Sequence, residues 1–484
     1  MFIRLLPLVI LLLFRFYDLG IRPIHHDESV NGWFVDGLLT RGYYVYDPAN
    51  YHGPLFFYIL TLFEKVFGRS VESLRMSTVI FGSAISFTPF LFRKWLGKWA
   101  TWIAAIIFTV SPAMIFYSRY AIHETLFALS CILFFYFWLC VRDFGFTKKN
   151  IWGYGLTLGA MATLKENFVL YGFTLVIAET LIWLYGKYWL NETKPAITFN
   201  KKLGLGLLAA TAIAVVIIAV FFTGGFQDLE GIPNFFKAFL LWFQTGEKGN
   251  GHQKPFEYWI PIMAEYEWYA LAGLLLTPFA LRKNVPKEIR LLSVMTFGLW
   301  LVYSIVSYKT PWCLLSFYWG FILITAYWIG KWIESLPKKT SKAWIFAPLG
   351  IAFCFSLYQA YDVAYDSPDQ DGHPYVYGQT YHDMLAPLNE IVDRGRINPA
   401  LHNTLKIQVI SSFTWPLPYV LGEFKQAAYL SEANAPQILD ADYIIMDKAF
   451  EPKYGPRVHG NYTRTETRSR MWAGPIVFLK RNGP

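Results

Sequence analysis

Charge is scarce in this chain. Asp, Glu, Lys and Arg together make up 16% of 484 residues, against roughly 25% in ordinary soluble domains. That shortage excludes a disordered chain, a coiled coil and a typical soluble enzyme. Cysteine is scarcer still. The four cysteines, Cys131, Cys140, Cys313 and Cys354, form no CxxC pair, so neither a zinc knuckle nor a disulfide framework is indicated. GxGxxG and P-loop patterns are missing, which leaves nucleotide binding unsupported. What the chain has in excess is apolar surface: 55% hydrophobic and 19% aromatic residues. Many apolar runs approach the ~20 residues that cross a bilayer. Lys and Arg outnumber Asp and Glu by 43 to 34, a net charge of +9. In a chain of membrane spans that surplus belongs to cytoplasmic loops; membrane lipids are expected partners and nucleic acid is not.

The fold class expected is a polytopic α-helical membrane protein of about eleven spans, at 2–20, 74–92, 99–117, 126–141, 152–164, 168–185, 203–222, 268–281, 291–307, 313–332 and 343–358. The first run has no small-residue cleavage site and is interrupted by Arg15 and Asp18, so it reads as an uncleaved span. With the N-terminus in the cytoplasm, every short inner loop is basic: Arg93, Lys94, Lys98; Arg142, Lys148, Lys149; Lys187, Lys194, Lys201, Lys202; Arg282, Lys283, Lys287, Arg290; Lys331, Lys338, Lys339, Lys342. The expected topology therefore puts the N-terminus in the cytoplasm and everything after Tyr361 outside. Residues 1–361 form the transmembrane domain, with a long first outer loop at 21–73. Residues 362–484 form an extracytoplasmic α/β domain. In it, 381–392 carries apolar residues at helical spacing, Gly395 is a stop signal, and 406–411, 427–430, 442–447 and 475–480 read as strands. The NYT at Asn461 is a glycosylation sequon.

Ionisable residues gather at the outer ends of the spans. Directly after the first span come His25, His26, Asp27 and Glu28; later come His52, then Arg119, His123 and Glu124, then Lys165 and Glu166, and finally Lys309. Charge at a membrane face is costly and marks functional sites. Cations there would bind a phosphate-bearing lipid, and a carboxylate would take a proton from a hydroxyl acceptor. Two readings of Asp27 stand: a catalytic base, or an N-cap for a helix over 28–39. Lys309 likewise reads either as a phosphate ligand or as a lysine snorkelling to headgroups.

DES at 27–29 followed by GLLTRGYYVYDPANYHGPLFFYIL at 37–60 resembles the first outer loop of the C-type (GT-C) membrane glycosyltransferases. This superfamily includes the dolichyl-phosphate-mannose–protein mannosyltransferases and the aminoarabinose transferases. SRYAIHETLFAL at 118–129 and YKTPWCLLSFYWGFIL at 308–323 resemble later outer segments. Histidines before the Asp-Glu pair, and His-Gly before Pro-Leu, resemble a prokaryotic subfamily labelled flippase-activity-associated. The resemblance covers about 2–361 and, more weakly, the C-terminal domain. It implies an inverting hexosyltransferase that moves a sugar from a polyprenyl- or dolichyl-phosphate donor to a protein, lipid or envelope-glycan acceptor. Asp27 would be the base, with Glu28 beside it. Lys309, Arg119, Lys165 and His52 would hold the donor phosphate; Glu124, His123, His26 and Glu166 would line the substrate. Many relatives have Lys-Pro-Pro where this chain has His52-Gly53-Pro54, so His52 must serve differently, as a neutral donor or as a metal ligand with His25 or His26. No cofactor is required by the sequence; a divalent metal stays open, without HxxxH or HExxH spacing to support one. The alternative is a non-enzymatic flippase-associated factor or transporter for lipid-linked sugars.

Overall fold

The computed structural model describes residues 8–9, 11–192, 201–248, 251–337, 343–431 and 434–482. Of the basic residues assigned to inner loops, Lys194, Lys338, Lys339 and Lys342 lie outside these. The described chain divides into two compact units, 1–19 with 38–364 and 20–37 with 365–484.

The first unit is helical. Among the described residues, five helices are long and apolar enough to cross a bilayer: His123–Phe144, Phe168–Tyr188, Lys201–Phe222, Lys287–Ile305 and Ala343–Asp366. A sixth span results if Lys98–Val110 and Pro112–Ser118, bent by 53°, count as one. The runs expected at 74–92, 152–164, 268–281 and 313–332 are helical but short or broken. Val71–Ile85 ends before a 3-10 turn at Thr88–Phe90 that contains Pro89, and Tyr318–Ser335 follows a separate turn at Pro311–Ser316. Proline removes a backbone donor and crowds the preceding turn. Helix Gly231–Lys248, which the hydropathy pattern did not single out, is amphipathic, with Phe236, Leu240 and Phe243 exposed along one stripe.

The bent span shows how a break is held. Pro112 interrupts the helix, leaving carbonyls at the end of one segment and N–H groups at the start of the next. Arg15 is fully buried and donates to the carbonyls of Thr109 (3.1 Å), Gly82 (2.9 Å) and Phe108. Glu267, also fully buried, accepts from the Ala113 N–H (2.7 Å) and the Ser111 hydroxyl (2.9 Å). Each charge opposes the partial charge of the helix end it meets.

The second unit is built on a five-stranded sheet of order β2-β1-β3-β5-β4. β1 (Ile407–Ile410) lies parallel to β2 (Ala427–Tyr429) and β3 (Tyr443–Asp447); β5 (Ile476–Arg481) runs antiparallel to β3 and to β4 (Tyr462–Thr467). Alternation sorts the side chains. Ile407, Val409, Tyr443, Ile445, Ile476 and Phe478 pack with Leu388, Ile391 and Phe424. Ile444, Met446, Val477 and Leu479 pack with Leu439 and Tyr454 on the other face. Four strands coincide with those expected. β4 (YTRTET) did not register because it is a polar edge strand. Gly395 does not stop its helix, which runs from Leu385 to Ile397. It is small because a Cβ there would lie 2.5 Å from His402 Nε2.

Residues 20–37 depart from the expected boundary at 361/362. They cluster with the C-terminal sequence because it satisfies their backbone: Gln379 donates to the Pro23 carbonyl (2.8 Å), and His382 Nε2 bonds the Ile21 carbonyl (2.7 Å).

Glu267→Ala strands the Ser111 hydroxyl and the Ala113 N–H, each worth about 1–3 kcal/mol when buried and unpaired. We expect a loss of roughly 2–6 kcal/mol by the same count, read as a lowered melting temperature in detergent. Glu267→Gln, which still accepts, should lose less.

Candidate functional site

The anticipated residues gather into two groups, one in each unit. In the second unit, His25 is the N-cap of helix His26–Arg41. Its Nδ1 accepts the Asp27 N–H (3.0 Å), while its own N–H donates to Glu28 Oε2 (3.0 Å). This is a capping box with an imidazole in place of the usual hydroxyl. Because Nδ1 accepts, the ring proton sits on Nε2, which donates to the Tyr377 carbonyl (2.7 Å). Burial pushes the His25 pKa down from 6.5 to about 3, although the Tyr377 carbonyl pulls the other way. The reading of Asp27 as N-cap is thereby corrected. The helix starts two residues earlier than expected and His25 caps it, so Asp27 keeps a carboxylate that is 39% exposed and 3.9 Å from His25 Nδ1. Glu28 is fully buried and serves the cap. His26 Nδ1 accepts from Arg470 (2.7 Å), and burial followed by the Arg470 charge lowers its pKa to about 4.

In the first unit, three widely separated span ends meet. Lys165 Nζ pairs with Glu124 Oε1 at 2.6 Å, both buried. His52 Nδ1 bonds Glu166 Oε2 at 3.0 Å, with His52 28% exposed and Glu166 buried. The His52 and His123 rings lie 4.8 Å apart, and His123 packs 4.3 Å from the Phe56 ring. The Gly53 N–H donates to the Leu164 carbonyl (3.0 Å), and a Cβ on Gly53 would fall 2.2 Å from the Thr163 carbonyl oxygen. This is a physical reason for His-Gly at 52–53: only glycine lets His52 reach Glu166 across that contact. Burial pushes the Glu166 carboxyl up, but the His52 charge and hydrogen bond, with Lys165 behind them, outweigh it and hold it below the usual value. Asn167 donates to the Tyr303 hydroxyl (2.8 Å), and Cys313 lies 3.3 Å from the Thr310 hydroxyl. Tyr303 and Cys313 escaped the sequence reading because each is an isolated polar group in an apolar run.

Two expected phosphate ligands have other partners. The Arg119 guanidinium donates to the carbonyls of Arg15 (2.9 Å), Tyr17 (2.5 Å) and Asp18 (2.6 Å). Lys309 Nζ donates to the carbonyls of Val306 (2.5 Å) and Lys254 (3.2 Å), and burial lowers its pKa against the pull of Glu257. Both cations satisfy carbonyls that a span end leaves unpaired. Among the described residues, no group of three or more His, Cys, Asp or Glu is placed to hold a metal ion. Of the three histidines in question, His25 has both ring nitrogens engaged, and His26 and His52 each have Nδ1 engaged.

Residues 51–218 match the family of dolichyl-phosphate-mannose-protein mannosyltransferases. Among solved structures, ArnT from Cupriavidus metallidurans bound to undecaprenyl phosphate is similar with a TM-score of 0.63 at 13% identity, over 98% of this chain and 97% of that one. The archaeal oligosaccharyltransferase AglB from Archaeoglobus fulgidus, in complex with an inhibitory peptide and a dolichol-phosphate, gives 0.58 at 12% identity, over 94% and 72%. The arabinofuranosyltransferase AftD from Mycobacteria gives 0.50 at 12% identity, over 99% of this chain but 40% of that one. No curated protein matches in sequence. These likenesses show a shared fold, and the long apolar helices fit an integral membrane protein. Residues 51–218 are thus similar to the dolichyl-phosphate-mannose-protein mannosyltransferases, within a fold that the chain shares with ArnT and AglB.

Two outcomes are expected. The folded pKa of His25 lies below its unfolded value of 6.5, so the unfolded chain takes up the proton first as pH falls. The stability this group contributes is complete above about 6.5 and drains away toward about 3, at about 1.4 kcal/mol per pH unit. His25→Asn caps without titrating and should flatten the pH dependence of thermal melting by that one-proton slope. An unchanged slope would mean that His25 is already charged in the fold. Separately, Lys165→Met leaves Glu124 buried and unpaired, a cost of about 3–5 kcal/mol. Adding Glu124→Gln should recover much of it, measured by melting in detergent.

Proposed function

We propose that the chain is an inverting glycosyltransferase that moves a sugar from a polyprenyl- or dolichyl-phosphate to a hydroxyl acceptor on the extracytoplasmic side of the prokaryotic cytoplasmic membrane. One observation carries the reading. The cation–carboxylate cluster of His52, His123, Glu124, Lys165 and Glu166 falls wholly within residues 51–218, the stretch that matches the mannosyltransferase family. The polyprenyl phosphate in ArnT and the dolichol-phosphate in AglB support a lipid-phosphate donor. The basic inner loops support a cytoplasmic N-terminus and an outer C-terminal domain.

In this reading Asp27 accepts the proton of the acceptor hydroxyl. The oxygen attacks the anomeric carbon opposite the phosphate; the bond from that carbon to the phosphate oxygen breaks, its electron pair leaves with the phosphate, and the configuration inverts. The lipid phosphate is a good leaving group and needs no obligatory general acid. Preorganised cations stabilise the charge it acquires. His52, partly exposed beside Glu166, meets the phosphate directly; Lys165 contributes by sharing its charge between Glu124 and the donor. Arg119 and Lys309 support the span ends that carry these groups. Which sugar is carried, and whether the acceptor is a protein, a lipid or a glycan, follows from incubating purified protein with radiolabelled polyprenyl-phosphate hexoses and cell-envelope acceptors.

Asp27→Asn keeps the shape and loses the base. Transfer should fall by roughly 10²–10⁴, the worth of a positioned general base, while donor-lipid binding persists. Transfer at the parent rate would dismiss Asp27 as the base.

A further inference from the structure

We propose that Arg470 is a positioning residue for Asp27: its guanidinium anchors the start of helix His26–Arg41 and sets a fixed positive charge against the Asp27 carboxylate. The proposal rests on the reading of Asp27 as the base. It gives the C-terminal sequence a part in the chemistry that the order of residues does not suggest.

Four observations carry it. Arg470 Nη1 donates to His26 Nδ1 at 2.7 Å, so His26 is neutral and carries its proton on Nε2. The guanidinium lies over the Phe413 ring, 4.9 Å from its centroid, a cation–π contact that fixes its plane. Its backbone is pinned on both sides: Arg470 bridges Thr380, the Tyr381 N–H donates to the Ser469 carbonyl (3.1 Å), and the Met471 N–H donates to the Gln379 carbonyl (2.9 Å). Gln379 in turn donates to the Pro23 carbonyl (2.8 Å), two residues before the helix cap. Lastly, Asp27 is the carboxylate whose charge acts on Arg470, opposing the effect of burial.

The groups around Asp27 divide the work. His25 and His26 are both neutral and offer no net charge. Glu28 is turned to the His25 N–H. Arg470 is a cation that interacts with Asp27, while the buried Arg22 acts on the neighbouring His25, and an arginine beside a carboxylate favours its ionised form. A base must be ionised to accept a proton, and it must be held in place. Arg470 serves both needs without touching the reacting atoms.

The test reads the protonation of Asp27 directly and needs no acceptor. A carbodiimide with an amine nucleophile labels protonated carboxyls, and mass spectrometry of the Asp27 peptide follows labelling across the acid-to-neutral range, using the full chain in detergent. Arg470→Gln should raise the labelling midpoint by about one pH unit or more, which is about tenfold more labelling above the midpoint by the same shift. Arg470→Lys should stay near the parent. If Arg470→Gln fails to fold, His26→Gln removes the anchor and should move the midpoint in the same direction. A midpoint that stays at the parent value in a folded variant overturns the proposal, even if Asp27→Asn abolishes transfer. A shifted midpoint together with full transfer by Asp27→Asn upholds the coupling and rejects only the base assignment.

Discussion

Unpaired backbone at the ends of broken helices is the constraint around which much of this structure is arranged. A helix end leaves several N–H or carbonyl groups without partners, and in a membrane protein water is not there to satisfy them. This chain meets several of its helix breaks and ends with a buried ionisable group. Arg15 takes carbonyls, Glu267 takes an N–H, Arg119 and Lys309 take carbonyls, and His25 takes an N–H. Many of the charges that look chemical in the sequence are therefore structural in the first instance.

That arrangement separates roles among residues of the same type. Of the adjacent carboxylates Asp27 and Glu28, Glu28 is consumed by the helix cap while Asp27 stays partly exposed. Of the basic residues, Arg119 and Lys309 are held by carbonyls, whereas Lys165 and the partly exposed His52 each face a carboxylate. A group bound to neutral carbonyls keeps a span end in place. A cation paired with a buried carboxylate retains a charge distribution that an anionic substrate can enter and reorganise. His25 and His26 show the same economy: both are neutral, and both fix geometry through directed hydrogen bonds rather than through charge.

Much of the general architecture was legible in composition and periodicity. Long apolar runs mark helices regardless of their neighbours, so His123–Phe144, Phe168–Tyr188 and Lys201–Phe222 coincide closely with their sequence signals. Short apolar stretches marked four strands of the C-terminal sheet, and the reading missed β4, a polar edge strand with no such stretch. Span counting was less secure, because hydropathy registers apolar length but not where Pro89 or Pro112 breaks it.

By itself the sequence determined the membrane class, the helical first unit with a sheet near the C-terminus, and the set of ionisable residues at the span ends. Each of these depends on local composition, which a linear reading captures. Only the tertiary structure decided which residue within each set does what. His25 rather than Asp27 caps the helix because Tyr377, remote in sequence, supplies the carbonyl that fixes its tautomer. Residues 20–37 belong with the C-terminal sequence because Gln379 and His382 satisfy their carbonyls. Hydrogen bonds between distant segments set burial, tautomer and pairing, and nothing in the spacing of residues along the chain encodes those contacts.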